Sequence, residues 1–384
     1  MALVSPPFPR LGLSLADYHA HNHRRKLRLM VPSPPHGESP SSRGEQFLSG
    51  PRGASASVAE RRMANALDKG LERIESGLRD ELSYTNQIAD SVARYLFDAG
   101  GKRIRPLLTL LTAQWGSGVT DRVVRAAQVI ELTHLATLYH DDVMDEAAKR
   151  RGVSAAHKVW TNSIAILAGD LLFARAGALG VELGQEAMRR QTETFERLVL
   201  GQMRETIGPV ASEEPVEHYL QVLADKTGSL IALAGEFGLT QSGAPADYIG
   251  PIRAFGERIG VAFQLVDDVI DLSADEEKTG KKAGTDVRRG VATLPILLLA
   301  EESETNAESS ALLADLGQGA AGHLDEEDFG VVIAQLRSHR VTEQTIERAR
   351  QVADSAAAEL NTLPQGIITD ALRRFANEVV GRTT

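Results

Sequence analysis

Residues 129–152 read "VIELTHLATLYHDDVMDEAAKRRG": a mostly apolar run, Val129 to Tyr139, meets Asp141, Asp142 and Asp145, then Lys149, Arg150 and Arg151. The run belongs to a stretch, 121–147, that is apolar on most sides for more than twenty residues. That places the helix at the centre of a bundle and not on its surface. A buried helix ending in crowded carboxylates needs a partner, because unneutralised carboxylates raise one another's pKa and partly protonate. The design recurs in "FQLVDDVIDL", Phe263 to Leu272, where Asp267, Asp268 and Asp271 end the apolar stretch 247–273. Spacing of i, i+1, i+4 puts the first and third aspartates on one face, one turn apart. Helical steps back from these clusters reach His134 and Gln264, so each helix carries a polar stripe within an apolar surface. A lone charge run reads as a solvated helix end; the same geometry on two buried helices does not.

The rest of the chain fits an all-α protein. Of 384 residues, 42% are hydrophobic but only 5% aromatic, a mixture that favours helices over sheets. Beta-type alternation is not evident. From about residue 62 apolar residues recur at helical spacing, as at Leu67, Leu71, Ile74, Leu78 and Leu82. This predicts helices near 62–82, 86–98, 104–115, 121–147, 163–180, 185–207, 214–242, 247–273, 291–301, 327–338, 342–361 and 367–381. The acidic, Gly- and Ser-rich stretch 301–326 reads as a surface loop.

Residues 1–60 differ, holding eight of the fifteen prolines. Such a segment buries too little apolar surface to offset its ordering entropy and is expected to be a disordered leader before a single helical domain, 61–384. The closely spaced histidines of "HAHNHRRKLRLM" read as incidental, and Met63 is an alternative start. A net charge of −10 argues against a nucleic-acid partner. The absence of cysteine removes thiolate sites and fits a reducing compartment. No run approaches twenty consecutive apolar residues, so no transmembrane helix is expected.

Six aspartates with no Cys or His cage point to a hard cation, Mg²⁺, which takes one or two carboxylates, keeps waters and completes its shell with phosphate oxygens. Cations suited to phosphate are present. "GGKRIRP" carries Lys102, Arg103 and Arg105; "KRRG" carries Arg150 and Arg151; "DKTG" carries Lys226 and Thr227; "TGKKAGTD" carries Lys281. Each alone is an ordinary surface charge. Together with two acidic clusters they describe a cavity for two polyanions.

These motifs, with Gly169–Asp170 and "GKKAGTDVRRGVATLP", resemble in order and spacing the trans-type isoprenyl diphosphate synthases, or polyprenyl synthetases. The resemblance is densest over 85–297 and strongest toward actinobacterial medium- and long-chain members serving menaquinone side chains. It implies an isoprenoid synthase helical bundle around a central cavity, a homodimer, and a cytoplasmic enzyme whose lipophilic product brings transient contact with a membrane surface. It implies that Asp141, Asp142, Asp145, Asp267, Asp268 and Asp271 bind about three Mg²⁺, or Mn²⁺ in its place, on an allylic diphosphate such as farnesyl or geranylgeranyl diphosphate. Arg150, Lys226 and Lys281 would hold that diphosphate. Lys102, Arg105, His134 and Arg151 would bind isopentenyl diphosphate, and Thr227 and Gln264 would line the reacting region. One departure is Val291, where many members carry lysine; no arginine is assigned in its place.

In the family, bulky residues one or two turns before the first motif stop chain growth. Ala136 and Thr137 are small, so the expected product is roughly C30 to C50, made in a tunnel that excludes water. Three rivals stand beside this reading: a shorter, geranylgeranyl-type synthase; a terpene cyclase, whose second motif mixes Asn, Ser or Thr with Glu; and a non-catalytic regulatory subunit, whose aspartate motifs are usually eroded.

Overall fold

The computed structural model describes residues 57–273 and 283–381. Lys281 and residues 1–56 of the expected leader lie outside this range. Ser57–Glu60, counted with the leader on sequence grounds, lie inside the described range. They open the first helix, α1 (Val58–Glu81), through a capping box: the Ser57 hydroxyl accepts from Glu60 N and the Glu60 carboxylate accepts from Ser57 N.

The chain continues through α2 (Gln87–Asp98), α3 (Ile104–Thr112), α4 (Asp121–Met144), a two-strand hairpin β1 (Lys149–Arg150) and β2 (Val153–Ser154), and α5 (Ala156–Val159). Next come α6 (Asn162–Glu182), α7 (Gln185–Ile207), α8 (Pro215–Leu223), a π turn (Ala224–Gly228), α9 (Ser229–Ser242) and α10 (Ile249–Leu272). Then follow α11 (Thr285–Arg288), α12 (Leu294–Ser303), α13 (Ala307–Ala320), α14 (Glu326–Ser338), α15 (Arg340–Glu359) and α16 (Ile367–Gly381). The all-α reading holds, with the small hairpin as an exception that sequence periodicity does not register.

As the low amphipathicity of its sequence implies, α4 is central; its residues from Val123 to Tyr139 are almost all buried. It packs on α6, α9, α3 and α1, while α10 packs on α15, α9 and α16. The approach of α9 to α10 is backbone on backbone. A Cβ on Gly228 would lie 2.7 Å from the Glu257 carbonyl oxygen, and one on Gly256 would lie 2.6 Å from Ala232 Cα. Only residues without side chains allow these helices to meet.

The expected surface loop 301–326 is a correction. Asn306 caps α13 by accepting from Glu308 N and Ser309 N, and Leu312 and Leu316 bury one face against Phe329 and Ile333 of α14. Burial of that stripe overrides the poor helix propensity of its glycines. By length and composition alone α6 is apolar enough to cross a membrane, and 39% of its apolar window is buried within this chain. Ile166, Leu167 and Val181 are exposed on it.

Candidate active site

The first motif closes α4. Asp141 is half-buried, Asp145 exposed, and Asp142 wholly buried. Asp142 Oδ1 accepts from Arg150 Nε at 2.7 Å and pairs with Nη2 at 2.6 Å. The hairpin makes this return contact possible, because Arg151 and Gly152 at its turn both adopt positive φ, 51° and 79°. Asp142, expected among the metal ligands, thus has a fully buried side chain whose Oδ1 is held by Arg150, while its Oδ2 is buried without a partner. Arg150, expected on a diphosphate, is correspondingly the partner of a carboxylate.

Burial pushes Asp141 up to about 6, with Lys226 opposing and Asp145 adding to the rise. Lys226 Nζ donates to Glu205 of α7 at 2.6 Å. Lys226 and Thr227 sit on the π turn, an insertion in what the sequence pattern presents as one regular helix over 214–242. The turn is clamped through Asp225, which accepts from Arg197 Nε at 2.5 Å and Gln221 Nε2 at 2.9 Å. Gly201 of α7 admits it, since a Cβ there would stand 3.0 Å from Lys226 N.

The second motif closes α10. Asp267 and Asp271 are half-buried; Asp268 is buried, and its Oδ2 accepts from the Tyr219 hydroxyl at 2.6 Å. Burial pushes Asp268 up to about 8, reinforced by Asp286 and Asp267 and opposed by hydrogen bonds from Tyr219 and the Leu294 backbone. Asp271 Oδ2 accepts from Asp286 N at 3.0 Å, and its carbonyl from Gly284 N at 2.8 Å. Asp268, like Asp142, is thus a fastener, tying α8 and the start of α12 to α10. Glu205 acts electrostatically on Asp141 on one side and on Tyr219 on the other. The two motifs therefore face one region.

A basic cluster is linked to the first motif through Arg150, which acts on Asp141 and on His134. His134 and Arg105 are half-buried, and Arg105 Nε is buried without a partner. Burial, then Arg105, Arg151, Arg103 and Arg150, hold His134 well below the ordinary imidazole value, so its ring is neutral at pH 7. Burial brings Arg151 down to about 10 and also lowers Arg105, both opposed by Glu131. Arg151 Nη1 donates to Leu96 O at 2.9 Å and to Gly100 O. Lys102 is exposed; Gln264 and Thr227 are half-buried. Gly169 belongs to packing: His140 of α4 fills the space a side chain would need, with Nε2 3.0 Å from Ile166 O and 3.4 Å from Asp170.

Glu205, Tyr219 and Glu131 escape a motif-based reading. The first two sit in unremarkable helical sequence. Glu131 did carry a signal, an acid within an apolar run.

Among the described residues no three acidic or imidazole groups converge into a closed metal cage. The donor set still fits a hard cation. It is all oxygen, and the desolvated Asp141, with a pKa of about 6, is largely ionised at neutral pH and needs an opposing charge. Such a cation would take one or two carboxylates and fill its shell with water and substrate oxygens.

The sequence profile of the family described as Polyprenyl synthetase matches residues 86–326. A nonaprenyl diphosphate synthase of Mycobacterium tuberculosis is 41% identical over 320 residues, 83% of this chain and 94% of that one. A polyprenyl synthase of Caulobacter crescentus, solved with calcium and isoprenyl diphosphate, superposes with a TM-score of 0.76 at 30% identity, covering 87% of this chain and 100% of that one. A geranylgeranyl pyrophosphate synthase of Corynebacterium glutamicum, with the same two ligands, gives 0.72 at 38% identity over 84% and 98%.

Proposed function

Since the chain belongs to the polyprenyl synthetase family, we propose that it joins isopentenyl diphosphate to an allylic diphosphate, farnesyl or geranylgeranyl, and repeats the step to an all-trans product of roughly C30 to C50 in a water-excluding tunnel. The observation that supports the reading is the pair of acidic motifs ending two buried helices, each coupled electrostatically to Glu205 through Asp141 or through Tyr219, the partner of Asp268.

Mg²⁺, or Mn²⁺ in its place, would be held by Asp141, Asp145, Asp267 and Asp271, and would supply Lewis-acid stabilisation of the departing diphosphate. Lys226, exchanging Glu205 for phosphate oxygens, neutralises the same leaving group. The allylic carbon–oxygen bond breaks with its electron pair going to diphosphate. The isopentenyl double bond then forms the new carbon–carbon bond, and the proton lost goes to a diphosphate oxygen. Lys102, Arg105 and Arg151 hold the second diphosphate, and neutral His134 can hydrogen-bond it without adding charge. Gln264 and Thr227 line the reacting region. This chemistry calls for no nucleophilic side chain.

Ala136 and Thr137 support a long product, as does the nonaprenyl name of the mycobacterial relative; the geranylgeranyl name of the corynebacterial one keeps a shorter product as the alternative. A menaquinone side chain is the proposed destination, made in the cytoplasm with passing contact between product and membrane surface. We propose a homodimer, supported by the exposed apolar stripe of α6 together with Val199, Leu200, Met203 and Ile207 of α7.

The test is incubation with Mg²⁺, labelled isopentenyl diphosphate and farnesyl or geranylgeranyl diphosphate, followed by sizing of the dephosphorylated products. A ladder ending between roughly C30 and C50 is expected from the open tunnel. Termination at C20 would favour the shorter synthase, and no product under any metal or primer would favour the regulatory-subunit reading.

A further inference from the structure

Beneath the basic cluster lies a buried ionic knot that the proposed chemistry does not use. Arg103, with φ of 52° and a side chain only 3% exposed, donates from Nε to Glu75 at 2.6 Å and from Nη1 to Glu131 at 2.8 Å. Its Nη2 donates to Phe97 O at 3.2 Å, and its guanidinium lies 4.8 Å over the Phe97 ring. Burial opposes the Arg103 charge, yet Glu131 and Glu75 outweigh burial and hold its pKa above the ordinary value. Glu131, also 3% exposed, favours the charged forms of Arg105 and Arg151 as well.

The knot and Arg151 grip the same backbone. Arg151 holds the carbonyls of Leu96 and Gly100, Arg103 that of Phe97, so two guanidiniums collect the C-terminal carbonyls of α2. Gly101 lets them pass: a Cβ there would lie 3.0 Å from Arg103 Nη1 and from the Arg151 guanidinium carbon. Without buried countercharge, Arg103, Arg105 and Arg151 would repel one another around a neutral His134. Glu131 is the acid that couples to all three.

We propose that Glu131, acting through Arg103, is a positioning residue for the isopentenyl diphosphate site: it fixes the Gly100–Arg105 loop and Arg151 in the geometry that receives the anion. This rests on the assignment of the basic cluster to that substrate. Simple electrostatics predicts the opposite sign, because deleting a negative charge near an anion site should tighten anion binding.

Glu131→Gln and Arg103→Lys in the full chain decide between the two. The expected result for Glu131→Gln is a KM for isopentenyl diphosphate raised about ten- to a hundredfold, as small misplacements produce, with the allylic KM within about twofold. Arg103→Lys keeps the charge but loses the planar fork, and should shift the same KM in the same direction by less. Calorimetric titration with isopentenyl diphosphate repeats the comparison without turnover, so an inactive wild-type protein would count against the proposed reaction and leave this assignment decidable. An unchanged or lowered KM and Kd, or an equal rise for both substrates, overturns the proposal. So does loss of the helical circular dichroism in both variants, which would make the knot a device for stability alone.

Discussion

Asp141 and Asp142 are neighbours of identical chemistry, yet the step of about 100° between adjacent helical positions sends them to different environments. Asp142 is fully buried with Oδ1 held by Arg150, whereas Asp141 is half-buried and electrostatically coupled to Lys226. Asp141→Asn should therefore lower kcat by about two to four orders of magnitude, through lost stabilisation of developing charge, without lowering the melting temperature. Asp142→Ala should lower the melting temperature, because it removes the buried acceptor that holds Arg150. Steady-state kinetics and differential scanning fluorimetry on both variants check the contrast, and equal effects of the two would refute it. The aspartates announce themselves in sequence; the contacts that hold Asp142 and Asp268 do not, since they depend on where the hairpin returns Arg150 and where α8 brings Tyr219. The raised values also set a pH dependence. Between the unfolded carboxylate range and about 6 for Asp141 or about 8 for Asp268, the folded chain holds more protons than the unfolded chain, so stability falls as pH rises. His134, depressed in the fold, acts oppositely: below its ordinary 6.5 the unfolded chain holds more protons, and stability is lost as pH falls. A divalent cation competes with protons for Asp141. The gain in melting temperature on replacing chelator with Mg²⁺ should accordingly grow from pH 5 to pH 8, and a gain independent of pH would contradict the metal site.

At the scale of elements, the helices legible in the sequence are those whose apolar residues form either a clear stripe, as in α1, or a continuous surface, as in α4 and α10. The π turn at Ala224–Gly228 is not legible, because it interrupts the backbone hydrogen-bond ladder inside an unbroken helical pattern. α13 is hidden for another reason, its glycines and serines masking a short stripe at Leu312 and Leu316. Glycine itself reads ambiguously until its surroundings are known. Gly260 faces the Gly228 backbone, and a Cβ there would sit 2.8 Å from Gly228 N, where nothing flexible can yield. Gly330, inside α14, has open space. Gly260→Ala should destabilise by about 1–3 kcal/mol through overpacking and disturb the π turn that carries Lys226. Gly330→Ala should stabilise by roughly 0.5–1 kcal/mol through helix propensity. Chemical denaturation of the two variants measures both signs, and a neutral Gly260→Ala would show that the π turn and α10 can part without cost.

At the scale of the whole molecule, the apolar surface of α6 is not used up within the chain. Ile166, Leu167 and Val181 of α6 and Val199, Leu200, Met203 and Ile207 of α7 stay exposed, Leu200 and Met203 at 51% and 52%. On α7 these recur at helical intervals and form one stripe. An apolar surface of this kind on an otherwise acidic chain calls for a partner, and isologous pairing of two copies is the commonest way to supply one. Charges placed in the middle of such an interface would be desolvated without compensation. The double substitution Leu200→Arg with Met203→Arg should therefore shift the protein from twice the 41.4 kDa chain mass to that mass in light scattering, while circular dichroism keeps its helical signal because neither side chain supports the core. A wild-type protein already at the single-chain mass, or a variant that stays at double mass, would remove the stripe as the site of pairing and leave the exposed face of α6 to another surface.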